Sequence, residues 1–166
     1  MGGSGIMADV EGPSEWKAFT APWSRLLIIV SVLAAALCLA IAITRFSGAL
    51  SFIPIVTMAG CALFTVRGYA ITPEDIVVRR LFWNTRLPRI GLVSATFSPS
   101  AMKGSIRRFG NGGLFSFTGW FRNRELGNYR AFATDMTRSV VLRYPGKTIV
   151  VTPGDVEGFV RELIGS

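Results

Sequence analysis

Residue types able to do chemistry are sparse in this sequence. It contains no histidine, which removes the commonest general base and the commonest metal ligand together. Both cysteines, Cys38 and Cys61, fall inside long apolar runs. There they serve as small hydrophobes, and their spacing matches neither a metal site nor a disulfide framework. Asp135, in Ala133-Thr134-Asp135-Met136, is the most suggestive lone acid, yet a turn residue bonding its own backbone is the stronger reading. Glu74-Asp75 reads in the same way, as a hairpin turn and not as paired catalytic carboxylates. The run Gly110-Asn111-Gly112-Gly113 lacks both the G-x-G-x-x-G spacing and the closing Lys-Ser/Thr of phosphate loops. The sequence thus predicts no enzyme, with no catalytic residue, no metal ligand and no cofactor site.

Cations form the better constellation. The formal charge is +8, and it is uneven. Through Val66, three basic residues (Lys17, Arg25, Arg45) balance three acidic ones, whereas from Arg67 onward fifteen Lys and Arg oppose seven Asp and Glu. Lys103, Arg107 and Arg108 precede the glycine run, and Arg122 and Arg124 follow the aromatic stretch Leu114–Phe121. If the glycine run is a turn between paired strands, these two groups meet near the open end of the ladder as one electropositive patch suited to phosphate. A solvated basic face is the plainer alternative. Phe109, Phe115, Phe117, Trp120, Phe121, Tyr129 and Phe132 are interleaved with arginines in the manner of a nucleic-acid stacking platform. Alternation on strands instead sends Phe115 and Phe117 to one face and Trp120 to the other, so Trp120 is expected to be exposed and to touch a bilayer or partner. No nucleic-acid partner is expected of a tethered domain.

The elements that carry these residues fall into three parts. Residues 1–24 are rich in Gly and Ser, contain Pro13 and Pro22, and read as a flexible segment in which Met7 would serve as an initiator as well as Met1; Trp16, Phe19 and Trp23 suit either a disordered tail or an interfacial stretch. Residues 25–67 hold two uncharged runs, Leu26–Thr44 and Phe46–Val66, each about the length of a membrane-crossing helix and separated only by Arg45 to about Gly48. They predict a transmembrane hairpin. Lys17, Arg25, Arg67, Arg79 and Arg80 outweigh Arg45, which places both termini in the cytoplasm beneath an inner membrane. Residues 68–166 break into short alternating runs, Tyr69–Ile71, Ile76–Trp83, Thr85–Ile90, Leu92–Phe97, Ser105–Phe109, Leu114–Phe121, Tyr129–Ala133, Ser139–Arg143 and Lys147–Thr152. These are antiparallel-strand material. Thr72-Pro73-Glu74-Asp75, the glycine run and Tyr144-Pro145-Gly146 supply the turns. Val156, Phe159, Val160, Leu163 and Ile164 then share one face of a closing helix.

The stretches Tyr69-Ala-Ile-Thr-Pro-Glu-Asp-Ile-Val-Val-Arg-Arg-Leu-Phe-Trp, Gly113-Leu-Phe-Ser-Phe-Thr-Gly-Trp-Phe-Arg-Asn, Leu126-Gly-Asn-Tyr-Arg-Ala-Phe-Ala-Thr-Asp and Lys147-Thr-Ile-Val-Val-Thr-Pro-Gly-Asp resemble the small bacterial pleckstrin-homology (PH) like domains that follow paired membrane helices. The resemblance covers about Gly68 to Ile164. It implies a membrane α-helical hairpin plus a β-rich (α+β) PH-like barrel with one C-terminal helix, and it transfers no catalytic residue and no defined ligand. The function expected is a non-catalytic, membrane-anchored interaction module that docks protein or anionic lipid headgroups on the cytoplasmic face. The alternative is an accessory subunit of a larger complex of membrane proteins.

Overall fold

The computed structural model describes residues 16–44 and 52–165. Two helices stand at the N-terminal end, α1 (Arg25–Thr44) and α2 (Phe52–Leu63). They are preceded by a short strand β1 (Lys17–Thr20) and followed by nine further strands and a final helix. The strands are β2 (Val66–Ile71), β3 (Asp75–Arg80), β4 (Asn84–Pro88), β5 (Ser94–Phe97), β6 (Ile106–Leu114), β7 (Ser116–Asn123), β8 (Gly127–Ala133), β9 (Val140–Tyr144) and β10 (Lys147–Val151), with α3 at Val156–Ile164. Strands β1 to β4 form one sheet in that order, and a second sheet runs β5-β9-β10-β8-β7-β6.

Every strand segment read from the sequence is present, with three corrections to the plan. First, residues 17–20 are not flexible: β1 pairs with β2, Phe19 opposite Tyr69, because Phe19 and Ala21 can be buried in the core between the sheets. The earlier part of the expected flexible segment lies outside the described residues. Second, the strands are not all antiparallel, since β10 lies parallel to β8. A single 3-10 turn at Met136–Arg138 carries the chain past one strand position, so β10 and not β9 takes the place beside β8. Third, Gly110-Asn111-Gly112-Gly113 is not a turn but part of β6, with Asn111 opposite Thr118 and Gly112 opposite Phe117.

The expected transmembrane hairpin is not found: α1 and α2 contact each other, but α2 is short. Val66, expected to close the second apolar run, instead begins β2 after the bend at Phe64 and Thr65. The turn around Arg45 lies outside the described residues. Among the described residues no helix is long and apolar enough to cross a membrane. The 12 residues of α2 rise about 18 Å, and the first turns of α1 are taken up by the protein itself, where Leu27 and Ser31 are buried.

Packing explains why both faces of the larger sheet are apolar. Phe132, Val140, Leu142, Ile149 and Val151 face the smaller sheet, together with Tyr69, Ile76, Val78 and Leu87. Ala131, Ala133, Val141 and Val150 face the other way and meet Phe117, Phe121, Tyr129, Ala101, Met102 and Leu27 of α1. One corner of the first core is covered by α3. Asp155 caps that helix through its side chain, which accepts from the Gly158 N–H at 2.9 Å. The Phe159 ring meets Phe19 edge-on at 5.1 Å and Tyr69 at 6.0 Å. Leu163 is buried with it, while Val156 and Val160 are partly buried and Ile164 is exposed.

A buried hydroxyl network then joins the N-terminal segment to both sheets. The Tyr69 hydroxyl donates to the Phe132 carbonyl at 2.5 Å and accepts from the Thr152 N–H at 3.0 Å. Thr152 Oγ1 accepts from the Thr134 N–H, and Thr134 Oγ1 donates to the Pro22 carbonyl. Burial drives the Tyr69 hydroxyl pKa up to about 12, so it stays a neutral donor. Phe159→Ala should destabilise the protein by about 3 to 5 kcal/mol, as the loss of a fully enclosed ring does; a chemical-denaturation curve superimposable on the wild type would show that α3 is not part of the core.

Candidate functional site

The β6–β7 ribbon is where the helices and the sheets meet. Its tip is a tight turn in which Leu114 pairs with Ser116. Phe115 between them has φ of 62°, a conformation that bulky residues seldom adopt. The strained residue is held from outside: its N–H donates to Ser31 Oγ of α1 at 2.9 Å, and its ring lies 6.2 Å from that of Trp23. The end of α2 is bound by the same ribbon. Ser116 and Thr118 hydroxyls donate to the Phe64 carbonyl at 3.0 and 3.4 Å, and Asn111 Nδ2 donates to the Cys61 carbonyl at 3.4 Å. The Cys61 carbonyl also accepts from the Phe64 N–H at 3.2 Å, so backbone and side chains together hold the last turn of α2. The start of α1 and the end of α2 are thereby pinned to one place.

Glycines let the ribbon bend into that position. Gly110 and Gly119 face each other across β6 and β7 with φ of 107° and 147°. A Cβ on either would lie inside contact distance of the opposite backbone. The glycine-rich run is therefore needed for close approach of two strands and not for a loop.

Between ribbon and helices lies a cleft of about 580 Å³. Val30 of α1, Thr57, Gly60 and Cys61 of α2, and Phe64 just after it form one wall; Phe109, Trp120 and the glycine run form the other. Arg80, Arg107 and Arg130 line it, and among the described residues no carboxylate does. Arg80 is only 7% exposed. Its guanidinium carbon sits 4.9 Å from the centre of the Phe132 ring, 5.6 Å from Trp83 and 5.9 Å from Phe64, and its Nε has no hydrogen-bond partner among the described residues. Arg130 shares the Phe132 ring at 4.8 Å and stands 6.0 Å from Trp120. Burial first, and then the positive charge of Arg130, push the Arg80 pKa down to about 10. Both effects oppose the charged form. Ring faces offset part of that cost.

The structure divides the basic residues expected to form one patch. Arg122 pairs with Ile106, Arg108 donates to Asn128 Oδ1 at 3.4 Å, and Asn123 ties the loop that carries Lys103 to the end of β7 through the Ala101 carbonyl. Lys103, Arg108, Arg122 and Arg124 thus gather at the open end of the ribbon, all exposed. Arg107 leaves this group: paired with Phe121, its side chain folds over Gly112 on the ribbon face of Phe117 and Phe121 and donates to the Gly110 carbonyl, at the edge of the cleft. Trp120 is half exposed, on the face opposite buried Phe117 and Phe121, and also lines the cleft. Asp135 serves its turn, accepting from the Thr137 N–H and hydroxyl.

Fold and geometry agree with what comparison of the sequence finds: the family described as bacterial PH domain matches residues 67–166. The chain belongs to this family. Comparison with curated proteins and with solved structures finds no match. In this PH domain the residues that sequence reasoning missed are Arg80 and Arg130. A signal for the first was present, since Ile76, Val78 and Arg80 alternate and Arg80 must follow two core residues onto the inner face. No such rule announces Arg130. Among the described residues no group of three or more metal-ligating side chains occurs. Because any Cβ at Gly119 would meet backbone, Gly119→Ala should lower the thermal midpoint clearly, by an amount corresponding to about 1 to 3 kcal/mol; Gly127→Ala is the control for a positive φ in open space, and a Gly119 variant no worse than that control would show that the close approach is dispensable.

Proposed function

We propose that this protein is a non-catalytic, membrane-anchored PH module, held by its helical hairpin on the cytoplasmic face of the inner membrane, where it docks anionic lipid or acidic protein. The observation that carries this reading is the distribution of apolar surface. Leu33, Leu37, Leu39 and Ile43 on α1, and Phe52, Ile53 and Val56 on α2, all face outward. A water-exposed helical pair of this kind marks an interface or a bilayer. Where the helices join the sheets, the surface changes to aromatics: Trp23 precedes α1, Phe64 follows α2, and Trp83 in the β3–β4 turn meets Phe64 edge-on at 5.3 Å with Phe82 exposed beside it. Tryptophan and arginine at this level suit the headgroup region.

Basic flanks favour a cytoplasmic PH domain. An accessory subunit that packs its hairpin against other membrane proteins would show the same apolar surface, and extraction behaviour separates it only by what co-migrates.

Membranes carrying the full-length protein should retain it through an alkaline carbonate wash. In a variant with Cys38 and Cys61 replaced by Ala, an impermeant thiol reagent added outside should leave a cysteine placed at Ser100, an exposed position, unlabelled until the membrane is opened. Release by carbonate would sink the anchor, and outside labelling at position 100 would reverse the orientation.

A further inference from the structure

Arg80 presents a physical problem that the fold alone does not solve. Arg80 is 7% exposed as a residue, its Nε is buried without a partner and it has no ion pair among the described residues, an arrangement that is unfavourable unless the charge is compensated. A second arginine, Arg130, close to the same ring makes the cost larger, not smaller. If Arg80 were present only to fill space, leucine or methionine would do so without that penalty. Arg130 lines the same cleft, Arg107 lies at its edge and, among the described residues, no acid lines it, so an anion is the group it suits.

The walls say what kind. One side is α2, whose outer surface is apolar, and the cleft opens beside Val30, Gly60, Phe109 and Trp120. Gly60 points to open space, with no atom within 4 Å of where its Cβ would be. A small free anion would gain nothing from such a wall. A phosphate carrying hydrocarbon would gain from both halves of the cleft. We infer that the cleft between the two helices and the β6–β7 ribbon binds the headgroup of an anionic phospholipid, its phosphate held by Arg80 and Arg130 and its glycerol and upper chain along α2. This deepens the membrane reading and rests on it for the origin of the lipid. It concerns a different place from the open end of the ribbon, where Lys103, Arg122 and Arg124 are exposed to solvent.

Binding is tested on the full chain in neutral detergent, apart from membrane attachment, so that a failed anchor and a failed cleft are told apart. Native mass spectrometry with short-chain phosphatidic acid should show one molecule retained per chain, with short-chain phosphatidylcholine retained at least about tenfold more weakly. Arg80→Gln and Arg130→Gln should each weaken retention by about tenfold or more, as expected for loss of one charged contact to a phosphate. Arg122→Gln and Arg124→Gln should leave it unchanged. Gly60→Phe, which alters no charge, should block the lipid by filling the cleft. Inorganic phosphate should displace it only at far higher concentration. A structural role for Arg80 predicts a lower thermal midpoint in lipid-free Arg80→Gln, whereas relief of an uncompensated charge leaves that midpoint unchanged or raised. The proposal is overturned if the Arg80 and Arg130 variants retain lipid like the wild type, or if Arg122→Gln and Arg124→Gln cause equal losses. It is equally overturned if free phosphate competes on equal terms while Gly60→Phe binds normally, since the site would then hold phosphate and not lipid.

Discussion

The hydroxyl of Tyr69 holds this molecule's parts in register. It donates to the Phe132 carbonyl on the larger sheet and accepts from the Thr152 N–H at the end of β10. Thr152 and Thr134 extend the chain of bonds to the Pro22 carbonyl, just before α1. Such groups are costly if left unpaired in an interior, so the network tolerates little slack. Its consequence is directional. With Pro22 fixed, Ser24 is placed to cap α1, its Oγ accepting from the Leu27 N–H at 3.2 Å, and the helix leaves the PH domain from a defined point. The Gly154 N–H bond to the Thr20 carbonyl at 2.8 Å reinforces the same junction.

A fixed exit for α1 would be of little use if α2 were loose. The β6–β7 ribbon binds both, holding Ser31 near one helix start and the Cys61 and Phe64 carbonyls at the other helix end. Helices and PH domain are consequently joined by side-chain bonds as well as by the chain. The bond from Ser31 also stabilises the left-handed Phe115, so the helix and the turn each depend on the other. Cleft and ribbon arise from one device: two glycines facing each other let the strands approach closely, and Arg107 lies across a third.

Charge is distributed along this scaffold in two different dielectric settings. Cations at the open end of the ribbon are solvated, and they contribute attraction that salt screens over about 10 Å. Arg80 is enclosed by three rings, where an interaction with an anion is stronger and the absence of one is more costly. In the proposed function, the first kind of site would draw the domain to an acidic surface and the second would hold one molecule.

Much of the architecture was legible from residue order. Alternation of apolar residues located at least part of all nine strands of residues 66–151, because most of them bury one face or two against a neighbour, β6 being the exposed exception, and the spacing of Val156, Phe159, Val160 and Leu163 located the closing helix. The exposure of Trp120 opposite Phe117 and Phe121 followed from the two-residue period alone. What the sequence could not decide depends on partners distant along the chain. Lys17–Thr20 reads as part of a flexible tail or an interfacial stretch and becomes a strand only because β2 offers an open edge and the core has room for Phe19. The glycine run carries the composition of a turn; tertiary packing of the ribbon against α1 and α2 moves the turn to Phe115, where Ser31 can hold it. Arg80 counted as one more flanking charge, and Arg130 as one more basic residue, until the sheets brought both against Phe132. Local pattern determines which face a side chain takes, whereas whether a charge on that face finds an acid, a ring or an open cleft is decided by what folds over it.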